Sequence, residues 1–311
     1  YTSGKIILIM FLLLQQFKYI VISLFFLTLG CSVEDFDAIP DQDDSAPRII
    51  TLAPHLAELI DLIGAKETLV GVSTYTNVLS EDGAKLPYVG DAFLLDLERI
   101  AFLNPTIILA WQAGTPNHIV EELQNLGYRV EKIKTNSLND IETAVTQVGK
   151  LTGYSISAEK IASEYHKDLQ RLSSDYSKKE SIRVFYQISE RPLHTVNKKH
   201  YVTELIELCG GDNIFNDLNE LAPLVSEEAV IVRNPEVFLA GRSEHTENSL
   251  ENWQKWPEIM ANIFSNYFYI NANEISRPTP GLIAVGEVIC KHLKKARFNR
   301  SENIKKNEME M

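Results

Sequence analysis

The sequence ERIAFLNPTIILA at residues 98–110 returns as EAVIVRNPEVFLA at residues 228–240. Glu, Asn, Pro, Leu and Ala recur at identical spacing, and most of the other positions hold apolar residues in both copies. Proline cannot continue a helix and disfavours helical backbone in the residue before it. Each copy therefore predicts a short helix that is stopped by its proline. The apolar run that follows is typical of a strand buried on both faces of a parallel sheet.

The same landmarks flank both copies in the same order. A strand is predicted to open at Arg48 and another at Arg183, and a helix ends near Gly64 in one half and near Gly210 in the other. We interpret the fold class as α/β, with two Rossmann-like lobes and a ligand cleft between them. A chance similarity of two strand–helix units is the alternative interpretation.

Apolar residues at helical spacing between Ser157 and Tyr176 predict one long helix that joins the two lobes. The predicted organisation is a leader (1–31), a tether (32–46), an N-terminal lobe (47–153), a connecting helix (154–180), a C-terminal lobe (181–298) whose last helix runs from Leu282 to Leu293, and a polar, frayed tail (299–311).

Composition and motifs exclude several classes of function. The chain has 311 residues, of which 45% are hydrophobic, and a formal net charge of −12. Because nucleic acids favour basic surfaces, this charge argues against a nucleic-acid partner. No GxGxxG motif follows the first predicted strand, and there is no P-loop and no HExxH motif. We therefore predict no catalytic residue, no metal site and no cofactor.

The N-terminal stretch resembles an export signal. Residues 6–30 are strongly apolar apart from Lys18, Met10 is a candidate true start, and the stretch ends in Gly30-Cys31. Gly-Cys resembles a bacterial lipoprotein cleavage box. Lipidation of Cys31, plain cleavage and a retained membrane anchor are the three alternatives. In each case we expect the chain on the periplasmic side of the cell envelope, touching the membrane only through such an anchor.

Two further cysteines, Cys209 and Cys290, lie in the C-terminal lobe. No cysteine belongs to a CxxC pair, so zinc is not predicted. In an exported protein Cys209 and Cys290 could form a bridge between two helices. A pair of buried free thiols is the alternative.

Candidate ligand contacts follow predicted strands, because ligands of open parallel sheets bind outside the carboxyl ends of the strands. Tyr75, Phe93 and Trp111 do so in the first lobe, and Arg277 does so in the second. His55, in the first strand–helix turn, would touch a ligand or a metal. The alternatives are loop packing for each aromatic ring, a surface role for the arginine and an ordinary turn histidine.

Several stretches together resemble a known family: LERI at 97–100, LAW at 109–111, ELCGGDNIF at 207–215, and the cysteine pair. Over residues 47–293 the chain is similar to substrate-binding proteins of ABC importers. It resembles the branch with two α/β lobes joined by a single helix, which serves vitamin B12, siderophores and haem. Within that branch the similarity is greatest to the vitamin B12 binders.

The resemblance implies a binding protein and not an enzyme, and we expect a monomer that docks on the importer's permease subunits. Members of the family dock one glutamate per lobe on permease arginines, which by position are Glu98 and Glu228. The vitamin B12 binders carry a disulfide that matches Cys209 and Cys290.

The resemblance also implies a corrinoid held in the cleft largely by aromatic rings. Tyr75, Trp111 and Arg277 stand at matching positions.

The chain departs from this pattern at three places. Ala92, with Phe93 beside it, replaces a tryptophan before the first docking glutamate, and Ala222 replaces one before the second. Asn273 replaces an aspartate close to the cleft arginine.

Two alternatives to a corrinoid binder stay open at this point. A haem or iron-siderophore binder is favoured by the absent tryptophans and by His55 and His194. An envelope enzyme with nucleotide-binding-like lobes would need a phosphate-binding glycine loop after Leu52, and Ala53-Pro54-His55 is not such a loop.

Overall fold

Two parallel β-sheets form the framework of the protein, whose computed structural model describes residues 46–80, 83–176, 179–243 and 249–310. The strands are β1 (Ile49–Thr51), β2 (Leu69–Val72), β3 (Ile107–Trp111), β4 (Val130–Ile133), β5 (Ile182–Gln187), β6 (Ser189–Glu190), β7 (Leu193–His194), β8 (Gly211–Asn213), β9 (Val237–Arg242) and β10 (Tyr267–Asn271). The first sheet has the strand order β2-β1-β3-β4 and the second has the order β10-β9-β5-β8. All pairings within these two sheets are parallel. The α/β prediction with two lobes is therefore confirmed.

Helices connect the parallel strands, and β6 and β7 add a small antiparallel pair. Among the described residues, no helix has the length and apolar character needed to cross a membrane. The predicted leader and Cys31 lie outside the described residues. The α-helices are α1 (Pro54–Leu62), α2 (Leu97–Leu103), α3 (Asn117–Asn125), α4 (Leu138–Thr152), α5 (Ser155–Tyr176), α6 (Tyr201–Leu208), α7 (Glu227–Arg233), α8 (Met260–Ile263), α9 (Ala272–Ile275) and α10 (Leu282–Glu310).

The two copies of the repeated sequence occupy equivalent places. The helices α2 and α7 end before their prolines, as the sequence predicts. The residue in front of each proline has left the helical conformation, because Asn104 and Asn234 adopt left-handed backbone with φ of 44° and 46°. Asparagine tolerates this conformation better than most residues. The side chains of Arg48 and Arg183 then donate to the carbonyl oxygens of Asn104 and Asn234, each at 3.1 Å. The arginine that opens each lobe thus caps the helix of that lobe's repeat.

The long helix α5 spans the two hydrophobic cores. Ala158 and Ala162 pack into the core of the first lobe, and Tyr165 and Leu172 pack into that of the second. The hydroxyl of Tyr165 donates to the carbonyl oxygen of Leu138 at 3.0 Å, which ties α5 to α4. The first half of α5 is therefore anchored on one lobe and its second half on the other.

The last helix runs much further than the sequence predicts. We expect a helix to about Leu293 and a frayed tail, but α10 continues to Glu310, so that expectation is wrong. Tertiary contacts explain the extension as far as Arg300. A guanidinium nitrogen of Arg297 donates to the carbonyl oxygen of Cys209 at 2.7 Å, and Arg300 pairs with the buried carboxylate of Glu236 at 2.9 Å.

A disulfide bond joins Cys209, at the end of α6, to Cys290 in α10. Both residues are fully buried in the core of the second lobe. The pairing implied by the resemblance is confirmed, and the alternative of two free thiols is wrong.

Candidate ligand-binding site

Three aromatic side chains, Tyr75, Phe93 and Trp111, line a single cavity of about 400 Å³ at the carboxyl edge of the first sheet. Tyr75 and Phe93 are each 77% exposed. Large apolar rings left open around a concave surface mark an interaction site. The structure therefore brings together the three rings that the sequence singles out one by one.

Backbone geometry displays the ring of Tyr75. This residue has φ of 66°, in the left-handed region that a bulky side chain rarely adopts. The preceding residue holds it there, because the N–H and the hydroxyl of Thr74 both donate to the carbonyl oxygen of Gly90, each at 2.8 Å. Such strained backbone concentrates at functional sites.

The loop that carries Phe93 depends on a glycine and a carboxylate. Gly90 has φ of 109°, and a Cβ atom there would lie 2.1 Å from the carbonyl oxygen of Leu94. The carboxylate of Asp91 accepts the backbone N–H groups of Phe93 and Leu94 at 2.8 and 2.9 Å. These hydrogen bonds hold the pKa of Asp91 below its usual value. Phe93 is thus presented by a closed turn.

Trp111 and His55 form an edge-to-face pair, with ring centroids 5.1 Å apart and an interplanar angle of 82°. The indole lies against Gly114, where a Cβ atom would approach it to 2.0 Å. The buried atoms Nε1 of Trp111 and Nε2 of His55 have no hydrogen-bond partner among the described residues. Because buried polar atoms are normally paired, the indole Nε1 of Trp111, which lines the cavity, suits a polar ligand group. His55 is itself buried and is not among the described residues that line the cavity.

Burial, and to a lesser extent the positive charge of Arg277, lowers the pKa of His55 to about 3. The imidazole is therefore neutral near neutral pH. It cannot offer a positive charge to a ligand.

The stability of the protein is expected to fall as the pH drops from about 6.5 towards about 3, partly through His55. In this pH window His55 is protonated in the unfolded chain but not in the folded chain, so a fall in pH favours unfolding. The contribution is about 1.4 kcal/mol per pH unit within the window. Urea unfolding of the His55→Asn variant at several pH values should give a shallower dependence than the parent. The exposed His118→Asn variant is the control, and equal slopes for the parent and His55→Asn would contradict the prediction.

The second lobe supplies Arg277 and Asn273, which line a neighbouring cavity of about 340 Å³ together with Glu58 of α1. Arg277 crosses to the first lobe. Its guanidinium pairs with Glu58, and its Nη2 donates to the carbonyl oxygen of Tyr75 at 3.2 Å. Tyr75 follows β2 and Arg277 follows β10, so the carboxyl edges of the two sheets face each other at this point.

Three residues near the facing edges of the two sheets, two in the second lobe and Glu58 in the first, were not selected from the sequence. Ile188 and Leu224 are exposed. The backbone N–H of Ile188 donates to the carbonyl oxygen of His194 at 2.9 Å, and Leu224 forms an antiparallel β-bridge with His194. Ile188 follows β5 directly, so the strand-end rule could have found it. Leu224 lies in the connection between β8 and α7, well after the end of the preceding strand, so the strand-end rule does not identify it. Glu58, inside a helix, had no local signal either.

Glu98 and Glu228 lie on a different surface, in the first turns of α2 and α7. Both carboxylates are exposed. One turn further along, at matching places of the repeat, stand Phe102 and Val232, which are 88% and 84% exposed. Each lobe therefore carries the same pair, a carboxylate beside an open apolar side chain.

The chain belongs to the periplasmic binding protein family, whose family model matches residues 49–259. The resemblance stated from the sequence is thereby confirmed. Its relatives include the vitamin B12-binding protein of Vibrio parahaemolyticus, which is 30% identical over 266 residues, covering 85% of this chain and 96% of that protein. The corresponding protein of Vibrio cholerae is 32% identical over 250 residues, covering 80% and 90%.

Solved structures agree with this assignment. The crystal structure of the periplasmic vitamin B12-binding protein of Vibrio cholerae matches with a TM-score of 0.73 and 32% identity, covering 81% of this chain and 98% of that one. A periplasmic haem-binding protein of the same organism matches with a TM-score of 0.69 and 21% identity, covering 80% and 99%. The second likeness concerns the fold alone.

Proposed function

We propose that this protein captures cobalamin, or a related corrinoid, in the cleft and delivers it to the permease of an ABC importer. It performs no chemistry on its ligand. The observation that carries the proposal is the cavity lined by Tyr75, Phe93 and Trp111, with Arg277 of the opposite lobe at its margin. The vitamin B12-binding relatives, at 30–32% identity, support this ligand.

The site suits a large planar ring that carries amide side chains. Tyr75, Phe93 and Trp111 offer flat apolar contact area. The indole Nε1 of Trp111 and the guanidinium of Arg277 are donors for amide oxygens, and Asn273 can donate or accept. Phe93 stands beside Ala92 on the same cavity wall. We infer that the Phe93 ring covers part of the area that a tryptophan at position 92 would cover.

Titration of the purified chain with cyanocobalamin should give one-to-one binding, and Trp111→Ala should weaken it by roughly 30- to 700-fold. That range corresponds to the loss of about 2 to 4 kcal/mol for a buried aromatic contact. Calorimetry gives the affinity, and the absorption spectrum reports the bound ligand.

The matched control is Phe298→Ala, which removes an exposed ring from α10, away from both cavities. It should leave the affinity unchanged. Binding of haem with no binding of cyanocobalamin would instead assign the site to haem, and the half-buried His194 would then be the first residue to replace.

Glu98 and Glu228, with Phe102 and Val232 beside them, are the proposed contact with the permease. Their duplication suits a partner that presents two similar sites, one to each lobe. We further propose that the chain acts as a monomer on the periplasmic side of the envelope, after export through its leader and lipidation of Cys31. Mass spectrometry of the protein isolated from membranes should find acyl groups on Cys31, whereas Cys31→Ser should release a protein without them.

A further inference from the structure

The contact between Arg277 and Glu58 places two opposite charges at the margin of the cleft. The two residues are 219 positions apart in the chain. The side chain of Arg277 is 17% exposed and that of Glu58 is 27% exposed. Partly buried charges interact more strongly than fully exposed charges do. The charge of Arg277 is therefore partly compensated by Glu58 before any ligand arrives.

Among the described residues that line the two cavities, Arg277 is the one cation that can compensate Glu58. The charged residues of this lining are Arg277, Glu58, Glu274 and Asp91. One guanidinium against three carboxylates leaves the lining with a negative balance. His55, the nearby imidazole, is neutral because it is buried.

A neutral hydrogen-bond acceptor and an anion differ in how they interact with the pair of Arg277 and Glu58. A guanidinium has five N–H donors, and the contacts with Glu58 and the Tyr75 carbonyl leave donors free. An amide oxygen can accept one of them with little repulsion from Glu58. A carboxylate accepts the same hydrogen bond but stands close to the like charge of Glu58, which is unfavourable.

We propose that Glu58 is a specificity-determining residue that makes Arg277 select neutral amide groups and reject carboxylates. This inference rests on the proposed function, since it concerns ligands bound at the same cleft. It explains how one scaffold would prefer a ligand bordered by amides, such as cobalamin, to one bordered by carboxylates, such as haem.

The test compares cobalamin with cobalamin monocarboxylates, in which single peripheral amides are hydrolysed to carboxylates, and with haemin. The full chain and its Glu58→Gln variant are titrated with each probe. In the parent, cobalamin should bind more tightly than the monocarboxylate whose charge falls at Arg277. Glu58→Gln should shift that affinity ratio towards the carboxylate by roughly 10- to 100-fold, because it removes one like charge.

The matched control is Asp61→Asn, which removes the same charge from the same helix, where Asp61 pairs with Lys66 at 2.8 Å. It should leave the ratio unchanged, and Glu58→Asp, which keeps the charge, should preserve the preference for the amide. Equal binding of amide and carboxylate by the parent, or an unchanged ratio in folded Glu58→Gln, would overturn the proposal.

If the proposed function is wrong, the titrations give a result that differs from the one expected if only the role of Glu58 is wrong. If the parent binds no cobalamin, the proposed ligand is wrong. Haemin binding that is stronger in Glu58→Gln than in the parent would still support the role of Glu58, whereas equal haemin binding would refute it.

Discussion

A chain carrying both Glu98→Ala and Glu228→Ala is expected to bind cobalamin as tightly as the parent and to deliver almost none of it to the importer. The two carboxylates are exposed in the first turns of α2 and α7, and neither lines a ligand cavity. Loss of a charge pair at an interface costs about 2 kcal/mol or more, so two losses weaken docking by roughly 1000-fold if they add. Uptake of labelled cobalamin in cells that depend on this chain measures delivery, and calorimetry measures binding.

The control for this experiment is a variant with the same change in charge on another surface. Glu121→Ala with Glu122→Ala removes two exposed carboxylates from α3. It should transport normally. Normal uptake with the variant that lacks both Glu98 and Glu228 would show that these residues do not dock on the permease. The docking role proposed for Phe102 and Val232 would then be refuted as well.

Removal of the disulfide by Cys209→Ala with Cys290→Ala should lower the free energy of unfolding by about 4 kcal/mol. The bridge closes a loop with a sequence separation of 81, and loop closure on this scale restricts the unfolded chain strongly. Both sulfurs are also fully buried between α6 and α10, so their loss leaves space in the core. Urea unfolding of the parent and the variant measures the difference.

Reductant provides the control for this second prediction. It should destabilise the parent to nearly the level of the alanine variant and should leave the variant unaffected. A loss below about 1 kcal/mol in the variant would show that the packing of α10 holds this lobe without the bridge. Contacts such as that between Arg300 and Glu236 would then carry the stability.

Local patterns in the sequence were enough for much of the fold. The repeated Asn-Pro stretches predicted two equivalent helix–strand units, and the structure pairs β3 with β1 and β9 with β5 in the same parallel sense. Ser137 and Asp140, at the spacing typical of a capping box, form one at the start of α4. These signals act over a few residues, so they can be read from the sequence without knowing which elements pack together.

The predicted end of the last helix was wrong because the contacts that continue it as far as Arg300 are not local. The polar residues beyond Leu293 carry little apolar periodicity. The helix is continued by Arg297 and Arg300, whose partners, Cys209 and Glu236, lie far away in the sequence. Tertiary packing of this kind overrides a pattern-based boundary.

In the candidate site, too, some features follow from local sequence patterns and others from tertiary contacts. The sequence alone identified the family resemblance, the cysteine pair and the rings of Tyr75, Phe93 and Trp111, because strand ends of a parallel sheet share one edge. Only the tertiary structure revealed Glu58 as the partner of Arg277 and brought Leu224 beside His194. Those contacts join segments that no periodicity relates. The contact of Glu58 with Arg277 depends on how α5 holds the two lobes against each other, and that of Leu224 with His194 depends on packing within the second lobe.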